Sequence, residues 1–203
     1  MRPIKILAPL LSAVLVGCAA PPQPTGQRGG GMQRIAVVTD PPGASCAGIR
    51  PDVGTIAADP AGVVVIPASG QTLRIECTAA DRAPGGTLVF VEPDANAMQG
   101  MYAAAGIFGM AAGMASGMFN RYPATASVRL LPAAFPSVDV RDTAYAAEVA
   151  SVRAQGAAQI AVIRPRCSDT NAFQCQDEIA AVDAAVAGEI ARLERQRASA
   201  LVP

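Results

Sequence analysis

The sequence predicts an α+β protein: a small β-sandwich, a glycine-rich apolar helical segment and a C-terminal antiparallel helical hairpin. Three observations predict it. Short β-branched runs, separated by turn signals about every ten residues, occupy residues 34–92. A stretch of Gly, Ala and Met without any charge covers residues 95–120. Apolar residues spaced three or four apart then run through residues 139–199.

The strands come first. Residues 35–39 are β-branched and apolar, and Asp40-Pro41-Pro42-Gly43 is a strong turn signal. Val63, Val64, Val65 and Ile66 form a run of the buried-strand type. Residues 73–78 alternate, which places Leu73, Ile75 and Cys77 on one face and Arg74, Glu76 and Thr78 on the other. Residues 87–91 read as another strand. Residues 126–131, with Val128 and Leu130 on one face, return as a final strand, so the β-module covers residues 34–133 with 95–120 as an insert.

Within the insert, Ala105, Gly109, Gly113 and Gly117 stand four apart, and Met110, Met114 and Met118 follow one residue later. On a helix, residues four apart share a face. The glycines would then form a groove in which another backbone lies closely, as small-residue rows do between membrane helices. The segment is long enough for a span, yet Ala and Gly bring little apolar area. Two readings stay open: packing on the β-module, or entry into a bilayer with self-association through the glycine row.

Two helical stripes fill the C-terminal third, within residues 139–199. The first is Tyr145, Val149, Val152, Gly156, Ile160 and Ile163; the second is Ile179, Val182, Val186, Ile190, Leu193 and Arg197. Asp142 is the expected N-cap and Pro165 the expected stop of the first helix. Gly156 and residues 160–163 are also compatible with a strand.

The N-terminus carries a different signal. Arg2 and Lys5 precede an apolar run over residues 6–16, too short for a membrane span of about 20 residues and suited to a signal-peptide core. The run ends in Leu15-Val16-Gly17-Cys18, which resembles the lipobox of bacterial lipoproteins. That resemblance implies removal of residues 1–17 and lipidation (palmitate among the acyl chains) of Cys18. Two or three acyl chains anchor stably where one binds only marginally. Ala19, rather than Asp, follows the cysteine, which within that family implies the outer membrane. Residues 18–33, with Pro21, Pro22, Pro24 and Gly29 to Gly31, read as the lipidated cysteine and a flexible tether.

Removing Arg2 and Lys5 from the 16 basic residues leaves 14 against 16 acidic ones, a net charge of about −2. No basic patch points to nucleic acid. Beyond Cys18 the cysteines are Cys46, Cys77, Cys167 and Cys175, an even number that reads as disulfides in an exported chain. Three pairings are possible. The local one, Cys46–Cys77 and Cys167–Cys175, keeps each bridge inside one expected unit.

The residues Val37, Thr39, Pro41, Pro42, Gly43, Ala44 and Cys46, followed by Asp59-Pro60, a valine strand, and Leu73, Ile75 and Cys77, resemble the PEGA-type β-modules of bacterial surface proteins. The tetrapeptide itself is replaced by Pro-Pro-Gly-Ala. The likeness covers about 60 residues and implies a small β-sandwich used as an envelope module without known chemistry.

Catalytic patterns are scarce. The chain has no histidine, which removes Ser-His-Asp and Cys-His arrangements and every metal site containing His. No phosphate-cradling glycine loop occurs. Carboxylate pairs such as Asp177 with Glu178, or Glu189 with Glu194, lie among Arg192, Arg195 and Arg197 and read as a solvated helix face. Tryptophan is absent, so a glycan cleft lined by aromatic platforms is disfavoured. The expectation is a non-enzymatic envelope lipoprotein with no cofactor or metal. It would be held to the membrane by its lipid and would act as a structural or protein-interaction module toward another envelope protein or itself. The rival expectation is a membrane-active assembly component that oligomerises through residues 105–117.

Overall fold

The structure, a computed structural model, describes residues 31–115 and 118–203. It is a mixed α+β protein with several sheets and three α-helices among the described residues. The strands are β1 (Met32–Asp40), β2 (Ser45–Arg50), β3 (Gly54–Ala57), β4 (Val63–Pro67), β5 (Leu73–Thr78) and β6 (Gly85–Val89), followed by the short β7 (Glu92–Pro93). Helix α1 (Ala95–Ala115) comes next, then β8 (Asn120–Arg121), β9 (Thr125–Arg129), α2 (Val138–Ile163) and α3 (Ala172–Ser199). Strand β1 therefore begins inside the segment expected to be tether.

A three-stranded sheet has the order β4-β1-β9 and a four-stranded sheet the order β3-β2-β5-β6. Pairing is antiparallel except between β1 and β9, which run parallel with Val37 opposite Ala126. Ile35, Val64, Ile66 and Val128 from the first sheet and Leu73, Ile75, Cys77 and Val89 from the second share one buried core. Strand β5 buries Leu73, Ile75 and Cys77 as the alternation predicts.

Strand β2 has no counterpart among the strands expected from the sequence, because its inward positions are Gly48 and Arg50 rather than apolar residues. Space explains Gly48: a Cβ there would lie 2.9 Å from Val64 Cγ1 and 3.2 Å from Leu73 Cδ1. Charge pairing explains Arg50, which is 1% exposed. Its Nε and Nη2 donate to the two carboxylate oxygens of Asp52 at 2.6 and 3.0 Å, and Nη1 donates to Pro67 O at 2.7 Å and to the Tyr122 hydroxyl at 3.0 Å. Tyr122 in turn donates to Gln71 O at 2.6 Å. The hydrogen bond from Arg50 holds the exposed Asp52 carboxyl below its usual range. Burial pushes the Tyr122 phenol up.

Helix α2 starts earlier than Asp142. The Ser137 hydroxyl accepts from Val140 N at 3.3 Å and caps the helix. Asp142 instead accepts from Arg141 Nε at 2.8 Å. Residues 160–163, which also fitted a strand, continue the helix, and a 3-10 turn at Arg164–Arg166 containing Pro165 ends it. Helices α2 and α3 pack as a hairpin against the outer side of β6, joining Leu88, Leu131, Phe135, Tyr145, Val149, Val152 and Leu193 in a second core. A third, smaller cluster of Ile163, Cys175 and Val182 closes the hairpin tip.

Both local disulfides are present, Cys46–Cys77 across directly opposed residues of β2 and β5, and Cys167–Cys175 at the hairpin tip.

Candidate functional site

Among the described residues, strands β6 and β9 are edge strands of different sheets, each hydrogen-bonded to a neighbouring strand on one side only. They converge at one end. At Gly85 the β6 backbone approaches so closely that a Cβ would sit 2.5 Å from the Arg129 carbonyl oxygen. Further along they splay, and α2 lies beside the gap. The result is a groove of about 610 Å3, walled by Thr87 and Val89 of β6, Thr125 and Ser127 of β9, and Gln155 and Gln159 of α2.

The groove continues past Gln155 into a second hollow of about 460 Å3 that reaches Glu148 and Arg129. Burial raises the Glu148 carboxyl above its usual range, while Arg129, 3.6 Å away, and then Arg192 pull it partly back. The helical wall is polar but not fully paired. Gln159 Nε2 donates to Val91 O at 3.1 Å, whereas Gln155 Oε1 is shielded from solvent and accepts no hydrogen bond from the described residues. Two edge strands, an apolar floor and a polar helix wall suit an extended polypeptide, which an open edge can bind through its main chain.

Glu189 lies elsewhere than its sequence context implies. Its neighbours point to a solvated face, yet it is 3% exposed. Its Oε2 accepts from Arg74 Nε at 2.9 Å and its Oε1 accepts from Arg192 Nε at 2.9 Å. Burial alone would raise its carboxyl, but these two arginines hold it below the usual range. Glu194 does remain half-exposed, paired with Arg197. The signal missed is Arg74 on β5, outward of the core and so free to reach the helix that covers it.

The other expected site residues distribute as follows. Cys18 and Gly117 lie outside the described residues. Ala105, Gly109 and Gly113 all fall in α1, yet they do not share one continuous helical face. Gly106, at φ 59° and ψ −151°, interrupts the helix between Ala105 and Gly109. A Cβ on Gly109 would strike Ala105 and approach Met101, and one on Gly113 would strike the Phe119 ring. Among the described residues no helix is long and apolar enough to cross a membrane, and no group of three or more His, Cys, Asp or Glu is placed to hold a metal ion.

Comparison with protein-family models, with characterised proteins and with solved structures returns no match.

Proposed function

We propose that this chain is a non-enzymatic lipoprotein of the cell envelope, anchored through Cys18 in the outer membrane, whose β-module and helical hairpin bind another envelope protein. The groove between β6, β9 and α2 carries the interaction part of this reading. It offers an extended segment of a partner two strand edges that no described strand pairs. The order Leu15-Val16-Gly17-Cys18 after a short apolar core supports the anchor. Two facing sheets around one core are compatible with a PEGA-like sandwich.

Self-assembly through residues 105–117 draws less support. The break at Gly106 interrupts the small-residue row, and within the chain Ala105 with Met101 crowds Gly109 and the Phe119 ring covers Gly113.

Two measurements test the proposal. Metabolic labelling with palmitate should mark the wild-type chain and leave Cys18→Ser unlabelled and out of the membrane fraction; label persisting on the Ser variant sinks the anchor. A photo-crosslinking residue at Ala158, which lines the groove, should trap a partner peptide in intact cells, while one at the exposed Arg195 should not. Equal yields at both positions would remove the groove from the proposal.

A further inference from the structure

Helix α1 leaves the body of the protein at Asp94 and returns at Phe119, where Asp94 N donates to Phe119 O at 2.6 Å. The Asp94 carboxylate caps the outgoing half by accepting from Asn96 N and Ala97 N. At Gly106 the helix breaks, at a positive φ of 59° that glycine tolerates best. Around that break the largest side chains point outward. Phe108 is 90% exposed, Ile107 76% and Tyr102 60%. Among the described residues, no other helix or sheet packs extensively along α1.

We infer that this apex, Tyr102, Ile107 and Phe108, is a membrane-surface contact that sits at the boundary between headgroups and acyl chains. Four observations carry it. First, Asp, Glu, Lys and Arg are absent from residues 95–120, so nothing ionised must be drawn from water as the apex enters lipid. Second, Gly109 and Gly113 are already covered, by Ala105 with Met101 and by Phe119, while Tyr102, Ile107 and Phe108 stand exposed.

Third, depth fits. The outgoing half-helix of about eleven residues rises roughly 16 Å at 1.5 Å per residue. Its base carries a charged collar, Glu92 paired in register with Arg121, and Asp94. That length allows interfacial burial of about 5–10 Å and falls short of a hydrocarbon core about 30 Å thick. Fourth, area disfavours a protein partner. Aromatic side chains bury about 150–250 Å2 each and the smaller Ile107 adds less, so the three offer less than the roughly 800 Å2 per partner of a stable protein interface.

The contact deepens the lipoprotein reading, since it rests on a chain already held beside a bilayer; its test separates the two. The chain has no tryptophan, so Phe108→Trp in the full-length protein supplies a single reporter, and Val140→Trp at the far end of α2 serves as control. Each is reconstituted in phosphatidylcholine vesicles, with and without lipids carrying a shallow nitroxide quencher. The emission of the Phe108→Trp variant should shift to the blue and be quenched about twofold more than that of the Val140→Trp control, as for a ring in the interface. Mass spectrometry of Cys18 in the same samples reads the anchor independently. A Phe108→Trp chain without acyl groups whose emission still shifts would sink the anchor and uphold the contact. An acylated Phe108→Trp chain that emits and quenches like the control would overturn the contact and leave the anchor standing.

Discussion

Arg74 on β5 and Glu189 on α3, 115 residues apart in the chain, meet in a hydrogen-bonded ion pair of 2.9 Å that fastens the helical hairpin to the four-stranded sheet. Arg192 grips the same carboxylate from the next turn of α3. Gly86 eases the approach, since a Cβ there would lie 3.0 Å from Ile75 O, 3.2 Å from Arg74 Nη2 and 3.3 Å from Glu189 Oε1. Glu189→Gln therefore leaves two guanidinium groups facing a neutral amide. A loss of about 1–3 kcal/mol is expected, the cost of a buried polar group left poorly paired. Glu194→Gln, on a half-exposed residue, should stay within about 0.5 kcal/mol of wild type. Urea melts of both variants check the contrast.

Acid titration should separate Glu189 from Glu148, because their shifts have opposite signs. The folded protein holds Glu189 below its usual range. Its contribution is therefore present above the unfolded value and lost as pH falls through the lower, folded value. Glu148 is raised by burial, so its charge costs stability at neutral pH and the cost fades as pH drops through the folded value. Glu148→Gln should be as stable as wild type or more so at pH 7, by less than about 1 kcal/mol because its partner Arg129 is solvated. Thermal melts between about pH 3 and pH 7 should show that advantage vanishing in acid. An advantage that grew in acid would contradict the assignment.

Gly48→Ala should be costly although it adds a single methyl group. The new Cβ meets Val64 and Leu73 from both sheets at once, and overpacking of this kind costs about 1–3 kcal/mol. Gly188→Ala, on α3 with open space around it, should gain up to about 1 kcal/mol through helix propensity. Calorimetric melting temperatures moving in opposite directions would bear out both.

The two disulfides close loops of different length, 31 and 8 residues apart in sequence. On the chain-entropy model, replacing Cys46 and Cys77 by Ala should cost roughly 3.5 kcal/mol, and replacing Cys167 and Cys175 roughly 2.5 kcal/mol. Denaturant midpoints of the two double variants, measured side by side, test the order.

What could be read from the sequence followed from how directly a residue reports its surroundings. Leu73, Ile75 and Cys77 alternate because one face of β5 is core, and the stripes of α2 and α3 repeat because each helix covers the sheet with one side. Strand β2 escaped because Gly48 and Arg50 occupy its inward positions, one for want of space and the other to be neutralised by Asp52. The groove escaped altogether. Its walls come from residues some 30 to 70 positions apart, and it exists only because β6 and β9 belong to different sheets. No local pattern encodes that. In the same way, periodicity placed Ala105 and Gly109 on one face but carried no sign of the break at Gly106 between them.

Gly156 is the residue whose sequence context is least favourable and whose structural role is clearest. A glycine in the middle of a 26-residue helix weakens it by about 1 kcal/mol relative to Ala. Here it lets α3 approach, for a Cβ at this position would lie 2.5 Å from Val186 Cγ2. Gly156→Ala therefore gains propensity and loses fit, and the clash should prevail with a net loss of about 1–3 kcal/mol. Removing the opposing methyl groups inverts the sign. In a Val186→Ala background the added Cβ enters vacated space, so Gly156→Ala should there stabilise by up to about 1 kcal/mol. A double-mutant cycle measured by urea denaturation would report a coupling of about 1–3 kcal/mol, within the range for residues in direct contact. Additive effects of the two substitutions would mean that the helices do not meet at this pair.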